Sequence, residues 1–358
     1  MNVLITPQHW GLGHITRSIP VIRYFVDRGD QVCLACSGAG IELLQKEFPQ
    51  LKCYELIDYA VKYPSKNMVI NMMFYLFNIH KAIIVEHFQI KKICKTKNID
   101  LVISDARLGA FQSKIKSVII SHHLHFPIGV WLFEKVSAIW IDFFYKRFDE
   151  LWIPDISSEQ NLSGSLAHQY KWSKKHFIGA ISRFNKLNLP TKYDIAVVLS
   201  GPEPQRSYLE EILLNQLNAF TDKRIIIVRG VSSPMTSPSK FETINLAGSE
   251  QLNTIISSSD LIICRSGYTS LLDLHKLHKK ALLIPTPGQP EQIYLAEELM
   301  RKKLFYQVSQ DNIQLSKDIP NALLYNAYPV SKEEISLEKI LESRLIDLGF
   351  ISAGRGDI

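Results

Sequence analysis

Four short apolar runs, "NVLIT", "QVCLACS", "LVISD" and "SVIIS", punctuate the first half of the chain, and four more, "DIAVVLSG", "KRIIIVRG", "DLIICRSG" and "KALLIPTP", the second. Each has the length of a strand, and amphipathic stretches of helix length lie between them. Strands that are apolar on both faces belong to parallel sheets covered by helices on both sides. Two such series specify two doubly wound α/β domains. The length of 358 residues agrees, because it exceeds what one hydrophobic core ordinarily organises. At "SRFNKLNLPTKYD", residues 182–194, polar residues and Pro190 interrupt the pattern. The expected domains are therefore 1–185 and 186–335, with 336–358 a helical tail that packs back on the first.

Composition excludes several classes. With 46% hydrophobic and 21% charged residues, and neither a low-complexity tract nor a solenoid repeat, the chain reads as a soluble globular protein. Its five cysteines are odd in number and scattered, which argues against a disulfide framework. Cys33 and Cys36 lie three apart in a strand and so point to opposite faces, a poor arrangement for a shared metal. Charge is unevenly divided: residues 1–188 hold 23 Lys and Arg against 15 Asp and Glu, and residues 189–358 hold 18 against 20. The basic half carries none of the usual nucleic-acid-binding motifs, so an anionic membrane surface suits it better as a partner than nucleic acid. The N-terminus enters a strand without the segments of an export signal. The expectation is a cytoplasmic protein, at the inner face of the cytoplasmic membrane if the basic half meets lipid.

Chemistry gathers at the ends of the strands. In "DLIICRSGYTSLLDL", residues 260–274, a strand, a sharp turn and a helix follow one another. Ser266 and Gly267 stand where the helix begins, so free N–H groups and the positive end of the helix dipole favour a diphosphate there. Thr269 and Ser270 add hydroxyls, and Asp273 has the chemistry to accept hydrogen bonds from the vicinal hydroxyls of a ribose. An ordinary capped helix is the alternative. In "PTPGQPEQ", residues 285–292, three prolines fix a turn and Gly288 relieves it. Gln289 and Gln292 share one face of the helix that follows, and neutral amides that donate and accept suit sugar hydroxyls.

These two blocks, in this order and spacing, resemble the donor-binding half of glycosyltransferase family 28. The strand ending "CRSG" (Cys264 to Gly267, including Arg265), the acidic residue eight positions after the arginine and the Pro-rich turn with its glutamine carry the likeness. Asp273 stands where the family usually has glutamate, one methylene longer. "HFIGAISRF", residues 176–184, is similar to the family's segment before the linker, which assigns Arg183 to the donor phosphates. "VLSGPEPQRS", residues 198–207, resembles the first loop of the donor domain. Pro202 and Pro204 remove N–H groups there, so Ser200 and Gly201 are the candidate contacts. "LAGSEQL", residues 246–252, falls where the family holds the uracil base, through Gly248 and Ser249. The resemblance implies a GT-B fold, two Rossmann-like domains facing across a cleft, with a UDP-sugar donor, an inverting transfer and no required metal or other cofactor.

The opening loop "HWGLGHITRS", residues 9–18, is read in the same light. Gly11 and Gly13 suggest a dinucleotide fingerprint, but the third glycine is missing. "WGLGH" matches the family's first glycine-rich turn, which implies that His14 is the base and that Gly13 borders the acceptor. Imidazole suits proton removal near neutral pH; a helix-capping histidine is the alternative. Arg17 contacts phosphate or acceptor, or is solvated. Pro20 calls for a late helix start or a kink. Asp105, at the end of "LVISD", orients His14, acts as the base itself or caps the next turn. In "VIISHHLHFP", His122, His123 and His125 lack a supporting carboxylate or cysteine for metal, leaving acceptor contacts by His122 and His123, or simple loop polarity. Two aromatic-rich segments, 63–84 and 126–148, are interfacial helices that meet lipid or else buried core helices; charges within the second prevent it from spanning a bilayer.

The sequence thus reads as an inverting glycosyltransferase, with His14 and Asp105 in the chemistry. A hexose or N-acetylhexosamine passes from a UDP-sugar to a hydroxyl of a lipid-linked or other cell-envelope glycan. A UDP-sugar epimerase of the same fold and a non-catalytic nucleotide-sugar-binding subunit are the alternatives.

Overall fold

The computed structural model describes residues 1–9, 11–59, 68–125, 131–231, 240–325, 328 and 335–352, with the backbone alone for 68–77 and 131–133. The chain divides into two compact units, Met1–Ile181 with Ser331–Ile358, and Ser182–Val330. The second unit is therefore inserted within the first.

In the first unit the elements run β1 (Asn2–Pro7), α1 (Gly13–Asp27), β2 (Gln31–Cys36), α2 (Ala39–Glu47), β3 (Cys53–Glu55) and α3 (Met68–Lys97). They continue with β4 (Leu101–Asp105), β5 (Lys116–Ile120), α4 (Trp131–Tyr145), β6 (Glu150–Ile153), α5 (Ser165–His168) and β7 (Lys175–Phe177). The seven strands form one sheet in the order β3-β2-β1-β4-β5-β6-β7, and every pairing is parallel. Continuous apolar strands fill both faces: Val3, Leu4, Leu101, Val102, Ile119 and Ile120 are fully buried. A fully buried Leu or Ile contributes about 1.5–3 kcal/mol relative to exposure.

The second unit contains β8 (Tyr193–Val198), α6 (Gln205–Leu217), β9 (Ile225–Val228), β10 (Glu242–Ile244), α7 (Ser249–Ser257) and β11 (Ser259–Cys264). It ends with α8 (Tyr268–Leu277), β12 (Lys280–Leu283), α9 (Pro290–Arg301), β13 (Tyr306–Gln307) and α10 (Leu315–Leu324). Its six-stranded sheet has the order β10-β9-β8-β11-β12-β13, again parallel throughout. The chain then returns to the first unit as α11 (Leu337–Asp347). This helix buries Leu341 and Leu345, and Arg344 reaches the ring of His176 at 2.8 Å.

Three local outcomes differ from, or refine, the sequence reading. The helix after the first strand does not start late: α1 begins at Gly13 and runs through Pro20. Its buried face of Ile15, Ile19, Ile22 and Phe25 holds it in place, outweighing the one backbone hydrogen bond that proline removes. The two aromatic-rich segments fall partly outside the described residues, at 63–67 and 126–130. Where their side chains are described, α3 and α4 carry a core face and an exposed apolar face together. Ile83, Ile141 and Phe144 are buried, whereas Ile84, Phe88, Val136, Ile139 and Phe143 are exposed. No helix of the described residues is long and apolar enough to cross a membrane.

Candidate active site

In a doubly wound sheet, connections leave in opposite directions at one point, and the carboxyl ends of the two strands there frame a crevice. In the first sheet that point lies between β1 and β4, where Pro7 is the register partner of Asp105. Gly11 takes a left-handed φ of 74° in the turn after β1, which lets α1 start over the end of β4. One turn of helix then places His14, Arg17 and Ser18 on the same side.

The result is a polar cluster around one buried carboxylate. His14 Nδ1 lies 2.7 Å from Asp105 Oδ1. Arg17 Nε donates to Asp105 Oδ2 at 2.6 Å, its Nη2 donates to Oδ1, and Ser18 Oγ donates to Oδ2 at 3.2 Å. Arg17 Nη1 also reaches His122 Nδ1 at 2.9 Å. Burial alone would raise the Asp105 pKa, but Arg17 and His14 hold the carboxyl well below the usual range. Asp105 is 1% exposed and the His14 side chain 18%. Arg17 Nη2 also lies 2.8 Å from His14 Nδ1; in the tautomer that places a proton on Nδ1 toward the carboxylate, the Nε2 lone pair of His14 is left to take a proton.

The geometry decides between readings the sequence left open. Asp105 does not cap the following turn. Ser104 does so instead, its Oγ accepting from Arg107 N at 2.9 Å and donating to Arg107 O at 2.7 Å. Arg17 is buried in the cluster rather than solvated. His122 is turned inward, and His123 stands half-buried beside it. Gly13 opens α1 as its first residue.

The second sheet has its reversal between β8 and β11. There the loop at Ser200 and Gly201, with φ of 107° at the glycine, lies beside the turn Arg265–Gly267. Gly267 precedes α8 in extended conformation, and a Cβ on it would meet nothing within 4 Å, so its backbone is open to close approach. Thr269 is half-buried in the first turn. Ser266 is fully buried and its Oγ donates to Gln292 O at 2.8 Å, which fixes the turn. Gln289 precedes α9 and accepts from Gln292 Nε2 at 2.8 Å. Gln292 Oε1 in turn accepts from Thr286 N at 2.9 Å. Thr286 Oγ1 is buried without a partner and sits 3.8 Å from where a Cβ on Gly201 would be.

On the flank of α8, Ser182 Oγ donates to Asp273 Oδ1 at 2.5 Å. Burial pushes the Asp273 carboxyl up to about 6, although Ser182 and the nearby Arg183 pull the other way. Arg183 Nη1 donates to Ser249 Oγ at 3.2 Å, at the start of α7 just after Gly248. The structure thus gathers Arg183, Gly248, Ser249 and Asp273 in one group, and Ser200, Gly201, Ser266, Gly267, Gln289 and Gln292 in another. Sequence reasoning missed Ser182, whose only signal was adjacency to Arg183. It also missed Gln205 and Gln310, which partner Arg265.

Residues 197–342 match the family model of the glycosyltransferase family 28 C-terminal domain. No curated protein matches the chain. Among solved structures, the glycosyltransferase SnogD from Streptomyces nogalater is 13% identical, covering 97% of this chain and 99% of its own, with a TM-score of 0.68. MurG of Acinetobacter baumannii is 16% identical over 90% and 88%, with a TM-score of 0.54. The spinosyn rhamnosyltransferase SpnG complexed with thymidine diphosphate is 12% identical over 90% and 92%, with a TM-score of 0.62.

The two parallel-sheet domains and these neighbours define the class as GT-B, the glycosyltransferase fold. Within that class, residues 197–342 carry the likeness to glycosyltransferase family 28.

Proposed function

We propose that the protein is an inverting glycosyltransferase that moves a hexose or N-acetylhexosamine from a UDP-sugar to a hydroxyl of a lipid-linked or other cell-envelope glycan. The observation that carries this reading is the His14–Asp105–Arg17 cluster at the reversal point of the first sheet. A carboxylate that fixes Nδ1–H leaves Nε2 as general base, the orientation an attacking hydroxyl needs. The proton passes from the acceptor hydroxyl to Nε2, its oxygen bonds to the anomeric carbon, and the bond from that carbon to the diphosphate breaks.

The donor half supports the same chemistry. In this reading backbone N–H groups at Ser266, Gly267 and Thr269 meet the growing charge of the leaving diphosphate, and Arg183 is assigned to the same phosphates. In this reading those protein groups carry the charge compensation and no metal-dependent step is invoked. Ser200 and Gly201 border the phosphates, Gly248 and Ser249 the base, Asp273 the ribose, and Gln289 and Gln292 the sugar. Gly13, His122 and His123 border the acceptor. A nucleoside diphosphate is the ligand of one structural neighbour, and family 28 membership of this domain favours the uridine form. Peripheral contact with the cytoplasmic face of a membrane fits the exposed apolar faces of α3 and α4.

The test is UDP release from a panel of UDP-sugars in the presence of lipid extract. Acceptor-dependent release is expected from the wild type and its loss from His14→Ala. Epimerised free sugar, or binding without turnover, would overturn the reading.

A further inference from the structure

Five arginines are buried among the described residues, Arg17, Arg107, Arg206, Arg229 and Arg265. Four of them pair with carboxylates: Arg17 with Asp105, Arg107 with Glu86, Arg206 with Glu203 and Glu210, and Arg229 with Glu210. Arg265, 1% exposed, bonds only to neutral oxygens. Its Nη1 donates to Ile284 O at 3.3 Å and Pro285 O at 3.1 Å. Its Nη2 donates to Gln205 O at 2.8 Å and to Gln310 Oε1 at 2.7 Å. Its Nε is buried with no partner.

A buried cation without a counter-ion is costly, and proteins ordinarily supply one. Burial here lowers the guanidinium pKa to about 10. Two consequences of its position offset that cost. Its four acceptors come from three segments at the carboxyl edge of the second sheet: the start of α6, the turn before α9 and the short helical turn Gln310–Asn312 after β13. Gln310 Nε2 closes the network by donating to Gln205 Oε1 at 3.2 Å. The charge also sits immediately before Ser266 and Gly267, where the α8 N-terminus already favours an anion.

We infer that Arg265 is a positioning residue whose uncancelled charge, together with its ties to three segments, readies this edge for a nucleoside diphosphate that it does not itself contact. The inference rests on the proposed donor site. The protein leaves this arginine without a carboxylate because the ligand supplies the negative charge.

Gln310→Glu separates charge from scaffolding, since it places a carboxylate against the guanidinium while keeping the side-chain shape. Titration calorimetry on the full chain would compare uridine, UMP and UDP, with thymidine and thymidine diphosphate as a second series. In the variant, nucleoside affinity stays within about twofold, while diphosphate affinity falls by about tenfold or more and depends less on salt. The melting temperature does not fall. Gln310→Met, which removes the amide without adding charge, keeps diphosphate affinity close to wild type. Unchanged diphosphate affinity in Gln310→Glu overturns the inference, as does an equal loss for nucleoside and diphosphate, which marks a purely structural role. If Gln310→Glu melts well below wild type, Arg265→Gln provides the same comparison, its loss again expected in the charged ligands. A wild type that binds neither diphosphate fails the donor-site reading itself, and the inference with it.

Discussion

At the scale of single residues, two aspartates show opposite electrostatic solutions. Asp105 is buried against Arg17 and His14, so its charge is compensated from two sides. Asp105→Asn strands the Arg17 charge in the interior, a change that costs about 3–5 kcal/mol for a buried pair. It also releases the His14 ring from its fixed tautomer, and kcat is expected to fall by about 10²–10⁴. His14→Ala, at a partly exposed ring, is expected to lose turnover while changing stability by less than about 1 kcal/mol. Denaturant unfolding alongside kcat distinguishes the two variants.

Asp273 has the reverse situation, because burial dominates over its neighbours and raises its carboxyl from 3.8 to about 6. Between those values the folded chain holds a proton that the unfolded chain has released. Stability therefore falls as pH rises through that window and stays lower above it. Asp273→Asn is expected to be more stable than wild type at pH 8, by on the order of 2 kcal/mol, with the gain vanishing below about pH 4. Unfolding curves at a series of pH values check the sign. A gain that grows toward low pH would contradict it.

At the scale of elements, α3 and α4 carry residues with no burial to account for them. Ile84 and Phe88 are four apart, and Val136, Ile139 and Phe143 are three and four apart, so each set forms a stripe. A groove of about 350 Å³ between the helices is lined by His80, Ile84, Phe88, Phe143 and Arg147, among others. Lys81, Lys91, Lys92 and Lys95 are exposed on α3. Apolar stripes rimmed by lysine suit the surface of an anionic bilayer. Replacing Phe88, Ile139 and Phe143 by serine is expected to reduce co-sedimentation with phosphatidylglycerol vesicles by at least about tenfold, with turnover on a soluble acceptor retained.

The same scale shows what was legible in the sequence. The parallel strands were, because apolar runs such as "LVISD" and "DLIICRSG" report burial on both faces locally. The turn before α8 was legible for the same local reason. The partners of Arg17 and Arg265 were not, since they lie 88 positions away at Asp105 and 45 and 60 away at Gln310 and Gln205. Capping by Ser104 was hidden because Asp105, beside it, is the commoner turn residue. Of the two outcomes Pro20 allowed, a late start of α1 did not occur, because tertiary burial of its neighbours outweighed a local penalty.

At the scale of the molecule, the chain leaves the first unit after Ile181 and returns at Ser331. The returning α11 contributes Leu341 and Leu345 to that unit and sets Arg344 against His176. Removing residues 336–358 is expected to destabilise the first unit by about 3–5 kcal/mol, from two buried leucines and the exposed surface they cover. Affinity for nucleoside diphosphate is expected to persist, since the residues proposed to hold it lie within Ser182–Val330. Calorimetric unfolding with and without nucleotide measures both.

That return of the chain bears on how such proteins can be recombined. A module bounded near 182 and 330 has two covalent junctions with its host, so a hybrid made by joining one front half to one back half would orphan α11 from the partner it packs on. Exchange of the second unit between relatives is best attempted as an excision and replacement of an internal module, with the terminal helix retained from the parent that supplies the first unit.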